Sequence, residues 1–139
     1  MTPLRTHEIA GFLKRFRFRG GRLLRMRLNR VQQRDPEIEL IVYVRQAIIN
    51  LGEDYPPVRL RLRLKDVSEF RFQKRPNSDR TLIGKFDLSF IDGRCCMNLN
   101  SYLNDDEKPE LIDYRASDLY FVCSELNWEV VTKPPEVAS

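Results

Sequence analysis

The stretch from Val58 to Phe72, VRLRLRLKDVSEFRF, limits what this chain can fold into more than any other. Val58, Leu60, Leu62 and Leu64 alternate with Arg59, Arg61, Arg63 and Lys65, the period-two pattern of a strand with one buried and one wet face. A helix would scatter those leucines around its circumference. Such a strand is not stable alone, so the rest of the chain must supply paired neighbours and a second apolar layer. Between Leu64 and Phe70 the parity slips, because its continuation would bury Asp66 and expose Val67; it recovers at Phe70 and Phe72. The slip predicts either a bulge and bend over Lys65 to Glu69 or a hairpin turn there, since an odd-numbered loop preserves parity.

Upstream, Thr6 is placed to cap a short helix over residues 6–15, in which Ile9, Phe12, Leu13 and Phe16 make one apolar stripe. In FRFRGGRLLRMRL, Phe16 and Phe18 share parity with Leu24, Met26 and Leu28. The pattern predicts a glycine turn at Gly20 and Gly21, then a strand from about Arg22 to Gln32. After a turn at Gln33 to Pro36, the β-branched and aromatic density of LIVYV predicts a strand with Ile38, Leu40, Val42 and Val44 on one face. Asn50 to Pro57 reads as a loop, because neither Pro56 nor Pro57 can donate to a ladder. Lys74 to Asp79 is a polar loop built on Pro76 and Asn77.

KFDLSFIDGRCCMNLN carries the clearest local signal. Asp92 and Gly93 suit a type I′ turn, which pairs Ile91 with Arg94 and thereby fixes the register. Phe90 then meets Cys95, Leu88 meets Met97 and Phe86 meets Leu99 on one face, with Ser89 opposite Cys96 and Asp87 opposite Asn98 on the other. Ser101 to Asp118 reads as a long acidic loop with a helical turn, Leu119 to Cys123 as a buried strand, and Leu126, Trp128 and Val130 as a last short strand. The expected core is Leu60, Leu62, Leu64, Phe70, Phe72, Phe86, Leu88, Phe90, Leu99, Phe121 and Trp128. The expected fold is mainly β (α+β). It is a single curved, mostly antiparallel sheet, or a sandwich or open barrel, of six to eight strands behind a short N-terminal helix. One domain over 1–133, β-rich from 16 to 131, is followed by a tail at 134–139 that is expected to fray.

At 139 residues there is room for one core, and the apolar and charged fractions are those of a globular protein. No apolar run reaches the length of a membrane span, and MTPLRTHEIA lacks a secretory apolar core, so the expected location is the cytoplasm. Three cysteines, with Cys95 and Cys96 adjacent, are expected to be thiols, Cys95 packed inward and Cys96 on the opposite face. Charge is uneven: residues 1–35 carry a net +8, residues 36–85 +3 and residues 86–139 −7. The arginines of two strands would repel if directly opposed, so carboxylates such as Glu37, Glu39, Asp87 and Glu129 are expected between them, giving a charge-balanced sheet face. The alternative is a basic patch awaiting an anionic partner.

Chemistry is nearly absent. His7 is the only histidine and lies near the N-terminus, far from rigid support for a Cys-His or Ser-His dyad. Cys95 and Cys96 point to opposite sides of a strand and no CxxC or HxxxH spacing occurs. Asp105, Asp106 and Glu107 lack the EF-hand spacing, and Gly20 and Gly21 form no phosphate-binding fingerprint. No catalytic residue, metal ligand or cofactor site is therefore assigned, and a non-enzymatic role is expected. The candidate basic binding patch is Arg15, Arg17, Arg19, Arg22, Arg25 and Arg27, where RFRFRGGR interleaves aromatics with arginines as RNA binding would require.

The run LRLRLKDVSEF, then LIGKFDLSF, the hairpin and SDLYFV resembles small bacterial β-sheet domains, uncharacterised or grouped with immunity proteins of polymorphic toxin systems, over about Arg22 to Val131. The resemblance implies a cytoplasmic, non-enzymatic protein that neutralises a cognate toxin by binding it, and carries no site residue across. Many such inhibitors are acidic, whereas this chain has a pI of about 9.1. The expected function is protein binding, one form of which is an immunity-type inhibitor, with RNA binding through the arginine-rich N-terminal stretch as the alternative.

Overall fold

The computed structural model describes residues 1–30, 34–47, 56–73 and 81–131. After β1 (Thr2–Pro3), a 3-10 turn at Thr6–Glu8 leads into α1 (Ile9–Arg15). The strands that follow are β2 (Phe16–Asn29), β3 (Glu37–Gln46), β4 (Pro57–Lys65), β5 (Glu69–Phe72), β6 (Thr81–Leu82), β7 (Asp87–Ile91) and β8 (Arg94–Asn98). A one-and-a-half-turn helix α2 (Leu111–Arg115) precedes β9 (Leu119–Cys123) and β10 (Glu125–Val131). The strands form two antiparallel sheets, a larger one in the order β1-β10-β4-β3-β2-β6 and a smaller one in the order β5-β9-β8-β7. The sandwich form of the expected fold is thus the one adopted, with eight strands of four residues or more plus the two-residue β1 and β6 among the described residues.

The leucine parity of β4 places it in the middle of the larger sheet. Leu60, Leu62 and Leu64 lie opposite Val42, Leu40 and Ile38 of β3 and opposite Val130, Trp128 and Leu126 of β10. All three leucines are buried against one apolar cluster that also takes in Leu88, Met97, Leu99 and Phe121 from the smaller sheet. Burial of each such side chain contributes about 1.5 to 3 kcal/mol. α1 closes one end of this core: Phe12 packs 5.3 Å from Phe16 and 5.5 Å from Trp128, ring centre to ring centre.

The parity slip after Leu64 is a corner between the sheets, not a bulge within one sheet or a hairpin. β4 belongs to the larger sheet and β5 to the smaller, and the chain crosses at Asp66 to Ser68, with Asp66 in the left-handed region at φ 51°. β9 and β10 cross at the same corner through Ser124, whose amide donates to the Lys65 carbonyl (3.0 Å) and whose hydroxyl donates to Asp66 Oδ2 (3.0 Å). Two adjacent strands switching sheets together is how a sandwich makes a corner. Val67 is buried and Asp66 exposed, the reverse of what unbroken alternation requires.

The glycine turn is replaced by bulges in one long strand. β2 starts at Phe16, and between the pairs Arg17↔Arg45 and Arg22↔Tyr43 it advances five residues while β3 advances two. This odd surplus flips the parity, so Leu23 is buried where Leu24 was expected. A second, one-residue bulge between Leu23 and Arg25 flips it back for Met26 and Leu28. Gly21 permits the close approach: a Cβ there would lie 2.5 Å from the Tyr43 carbonyl oxygen and 2.9 Å from that of Phe18. Since both are backbone atoms, Gly21→Ala is expected to destabilise the protein by about 1 to 3 kcal/mol in urea denaturation, the range for overpacked sites.

The Asp92–Gly93 hairpin has the expected register from Ile91↔Arg94 to Asp87↔Asn98, with positive φ at both turn residues (51° and 78°). The N-terminal helix begins differently: Thr6 opens the 3-10 turn, and the Arg5 amide donates to Glu8 Oε1 at 3.0 Å. Phe70, expected in the core, is 39% exposed, because β5 is an edge strand; its ring stacks on Phe121 at 6.4 Å. Phe72, Phe86, Phe90 and Trp128 are half-buried. The expected features at Gln32 and Gln33, most of Asn50 to Pro57, Lys74 to Asp79 and the 134–139 tail lie outside the described residues.

Candidate protein-docking face

Residues of β2, β3, β4 and β10 that do not face the core form the outer face of the larger sheet, and the register sorts them into rows. At the Glu37 end the rows are ionic. Arg61 donates to Glu129 at 2.6 Å and lies 3.5 Å from Glu39. Arg63 reaches Glu37 at 3.3 Å and Glu39 at 3.7 Å, and Lys65 reaches Glu125 at 3.9 Å. The expected charge balance holds here for Glu37, Glu39 and Glu129, because β3 and β10 lie on either side of the basic row of β4, whereas Asp87 sits on β7 of the smaller sheet, 3.4 Å from Lys85.

Toward the other end of β3 the acidic residues give out. Odd positions there are Ile41, Tyr43 and Arg45 instead of glutamates. One row then runs Leu82, Arg22, Tyr43, Arg59, Val131 across five strands. The next carries Arg25 beside Ile41, and the bulge residue Leu24 adds a further apolar side chain. Leu82 is 64% exposed, Leu24 43% and Tyr43 39%, so three of the large exposed hydrophobics converge on one region of β2, β3 and β6. Arg22, Arg25, Arg27 and Arg59 form no ion pair among the described residues. Among the described residues, the outer face is therefore half charge-balanced and half an apolar surface ringed by guanidinium groups that make no ion pair.

The six arginines singled out in the sequence do not form one patch. Arg15 sits at the end of α1 with its guanidinium 4.9 Å from the Phe16 ring centre and 5.2 Å from that of Trp128. Arg17 is the cross-strand partner of Arg45, and Arg19 reaches Asp105 at 3.8 Å. Only Arg22, Arg25 and Arg27 lie beyond the glycine bulge, with Arg22 and Arg25 in the Tyr43 region. Phe16 and Phe18, the aromatics interleaved with them, are buried, and Phe18 stacks on Phe86 at 4.0 Å. Leu24, Tyr43, Arg59 and Leu82 complete the face. A signal for Tyr43 and Arg59 was available, since both fall on the wet parity of their strands.

The smaller sheet carries a second ordered cluster on its outer face. Arg115 of α2 makes a two-pronged contact with Glu69 (2.9 and 2.8 Å), the Tyr120 hydroxyl donates to the same carboxylate at 3.3 Å, and Arg71 donates to the carbonyls of Arg115 and Ser117. The Arg115 hydrogen bond holds Glu69 below the ordinary carboxylate range. These contacts join Arg71, Glu69 and Tyr120 of the sheet to Arg115 and the end of α2, so the cluster fastens α2 to the sheet. His7 is exposed in the 3-10 turn. In the acidic loop, Glu107 accepts from the Asn104 amide and side chain, and no group of three or more His, Cys, Asp or Glu that could hold a metal ion occurs among the described residues. No helix among them is long and apolar enough to cross a membrane. Comparison with protein-family models, curated proteins and solved structures finds no match to the chain.

Proposed function

We propose that this chain is a small non-enzymatic protein-binding domain that docks an acidic, partly apolar protein surface on the Tyr43 region of its larger sheet. The row Leu82–Arg22–Tyr43–Arg59–Val131 carries the reading. Tyrosine and arginine are the residues enriched at the energetic centres of protein interfaces, and exposed leucines gain from leaving water only against another apolar surface. The unpaired arginines fit a partner bearing Asp and Glu around an apolar centre, and capture of a toxin by an immunity-type inhibitor is one form of this role. Three free thiols suit a reducing compartment such as the cytoplasm.

RNA binding is the competing reading, and the unpaired arginines favour it. Base stacking, however, needs aromatic platforms, and among the described residues the face offers one exposed ring, Tyr43, among aliphatic side chains. A displayed library of peptides mixing Asp and Glu with Leu, Phe and Tyr, run beside single-stranded RNA, separates the two. The expected result is selection of acidic apolar peptides whose affinity falls at least about tenfold in Tyr43→Ala, with a similar loss in the triple variant Arg22→Ala, Arg25→Ala, Arg59→Ala. Retention of RNA with a steep salt dependence that the triple variant loses, together with no peptide selected, would transfer the function to nucleic acid.

A further inference from the structure

Cys95 and Cys123 occupy the two central strands of the smaller sheet as directly opposed partners. Both side chains point into the core between the sheets, whereas Cys96 belongs to the small cluster on the opposite face with Tyr114, Tyr120 and Val122. The Leu99 amide donates to the Leu119 carbonyl at 3.1 Å, and four residues along the same antiparallel ladder Cys95 and Cys123 again form a pair of the hydrogen-bonded kind. Cα atoms in such a pair are about 5.5 Å apart, inside the roughly 4.4 to 6.8 Å that a disulfide spans. The two thiols therefore face the same side of the sheet, toward the core.

We propose that Cys95 and Cys123 are a paired oxidation site, closed by small disulfides of the glutathione class into a cross-strand bond that ties β8 to β9. One cysteine, as thiolate, attacks a sulfur of the oxidised glutathione and displaces one glutathione thiolate, leaving a mixed disulfide. The other then attacks the protein sulfur of that bond and displaces the second glutathione thiolate. The two protein thiols are oxidised by two electrons, the glutathione disulfide is reduced to two thiols, and the two protons lost by the protein end on glutathione. Cys96 takes no part, because a strand directs adjacent side chains to opposite faces.

Reactivity is gated by opening of the sheet. Cys95 and Cys123 are 0% and 1% exposed, and contact with Cys123 together with burial pushes the Cys95 thiol far above its ordinary range. Burial raises Cys96 to about 11. In the closed state both sulfurs are therefore shielded from the oxidant, and oxidation follows the fraction of time β8 and β9 separate. Once formed, the bond opposes the separation that admitted the oxidant.

The test is incubation of the intact chain with excess oxidised glutathione, with and without urea below the unfolding midpoint, followed by acid quench, denaturation and thiol counting. The expected count falls from the three free cysteines to one, faster with urea, in a monomer lighter by two hydrogens whose urea midpoint has risen. Cys96→Ala should fall from two thiols to none, assigning the bond to Cys95 and Cys123. Fragmentation of the linked peptides in the wild type makes the same assignment if that variant folds poorly. Three thiols persisting in subdenaturing urea, stable glutathione adducts, a bond that uses Cys96, or dimers linked between chains would each overturn the proposal.

Discussion

Leu62→Ala is expected to lower the unfolding free energy by about 2 to 5 kcal/mol, while Arg61→Ala, one residue away, lowers it by less than about 1 kcal/mol. Leu62 is fully buried at the centre of the larger sheet, between Leu40 and Trp128 and beneath the smaller sheet, so its removed atoms leave a cavity with walls on every side. Arg61 points the other way. Its guanidinium meets Glu39 and Glu129, but more than a third of the side chain is in water, and solvent screens both pairs. Urea denaturation of the two variants at unchanged m-value is the measurement. A larger loss in Arg61→Ala than in Leu62→Ala would mean that the two faces of β4 are reversed, and with them the sandwich.

The same contrast explains what the sequence could and could not disclose. Wherever a strand has one buried face, alternation names it, as with the Leu60–Leu62–Leu64 row and the hairpin whose Asp92–Gly93 turn allows only one register. Alternation fails where the chain leaves the regular pleat. Gly20 and Gly21 carry turn chemistry, yet the long-range pairing of β2 with β3 absorbs them as bulges, so Leu24 and Leu23 exchange faces. The break at Asp66 was visible as a phase slip, but a bulge, a hairpin and a corner leave the same mark on parity. Only the identity of the neighbouring strand tells them apart.

The docking face was legible in part, for a related reason. Its arginines stand out in the sequence, but a patch is a property of rows across strands, and rows depend on strand order. Tyr43, Arg59 and Leu82 come from three separate segments and meet only through the β6-β2-β3-β4 order. Charge sums over residues 1–35 missed that Arg15 is taken up by aromatic rings and Arg19 reaches an aspartate. The ion pairs of Arg61 and Arg63 show that equal residue types in one strand have unlike roles, because what faces them changes from Glu39 to Tyr43 along β3.

Tyr114→Ala is expected to match the core leucine in effect, at about 3 to 5 kcal/mol, by analogy with other buried aromatic truncations. α2 has five residues, too few to persist as an isolated helix, and Tyr114 is its one buried side chain. The ring fills the cluster of Cys96, Tyr120 and Val122, and its hydroxyl lies 2.6 Å from Ser89 Oγ. Tyr114→Phe keeps the packing and removes only that hydrogen bond, for about 1 kcal/mol. The phenol supplies a second readout: burial pushes its pKa well above the ordinary value near 10, more than the Ser89 hydrogen bond lowers it. A raised folded pKa gives a contribution that is complete below the unfolded pKa of about 10 and is lost as pH rises through the folded value, since the unfolded chain ionises first. Stability of the wild type should therefore decline through the alkaline range more steeply than that of Tyr114→Phe, the difference isolating this phenol from Tyr102 and Tyr120, which are also raised. Parallel slopes for the two proteins would mean that Tyr114 reaches water in the folded state, and that the segment carrying α2 is not closed over the smaller sheet.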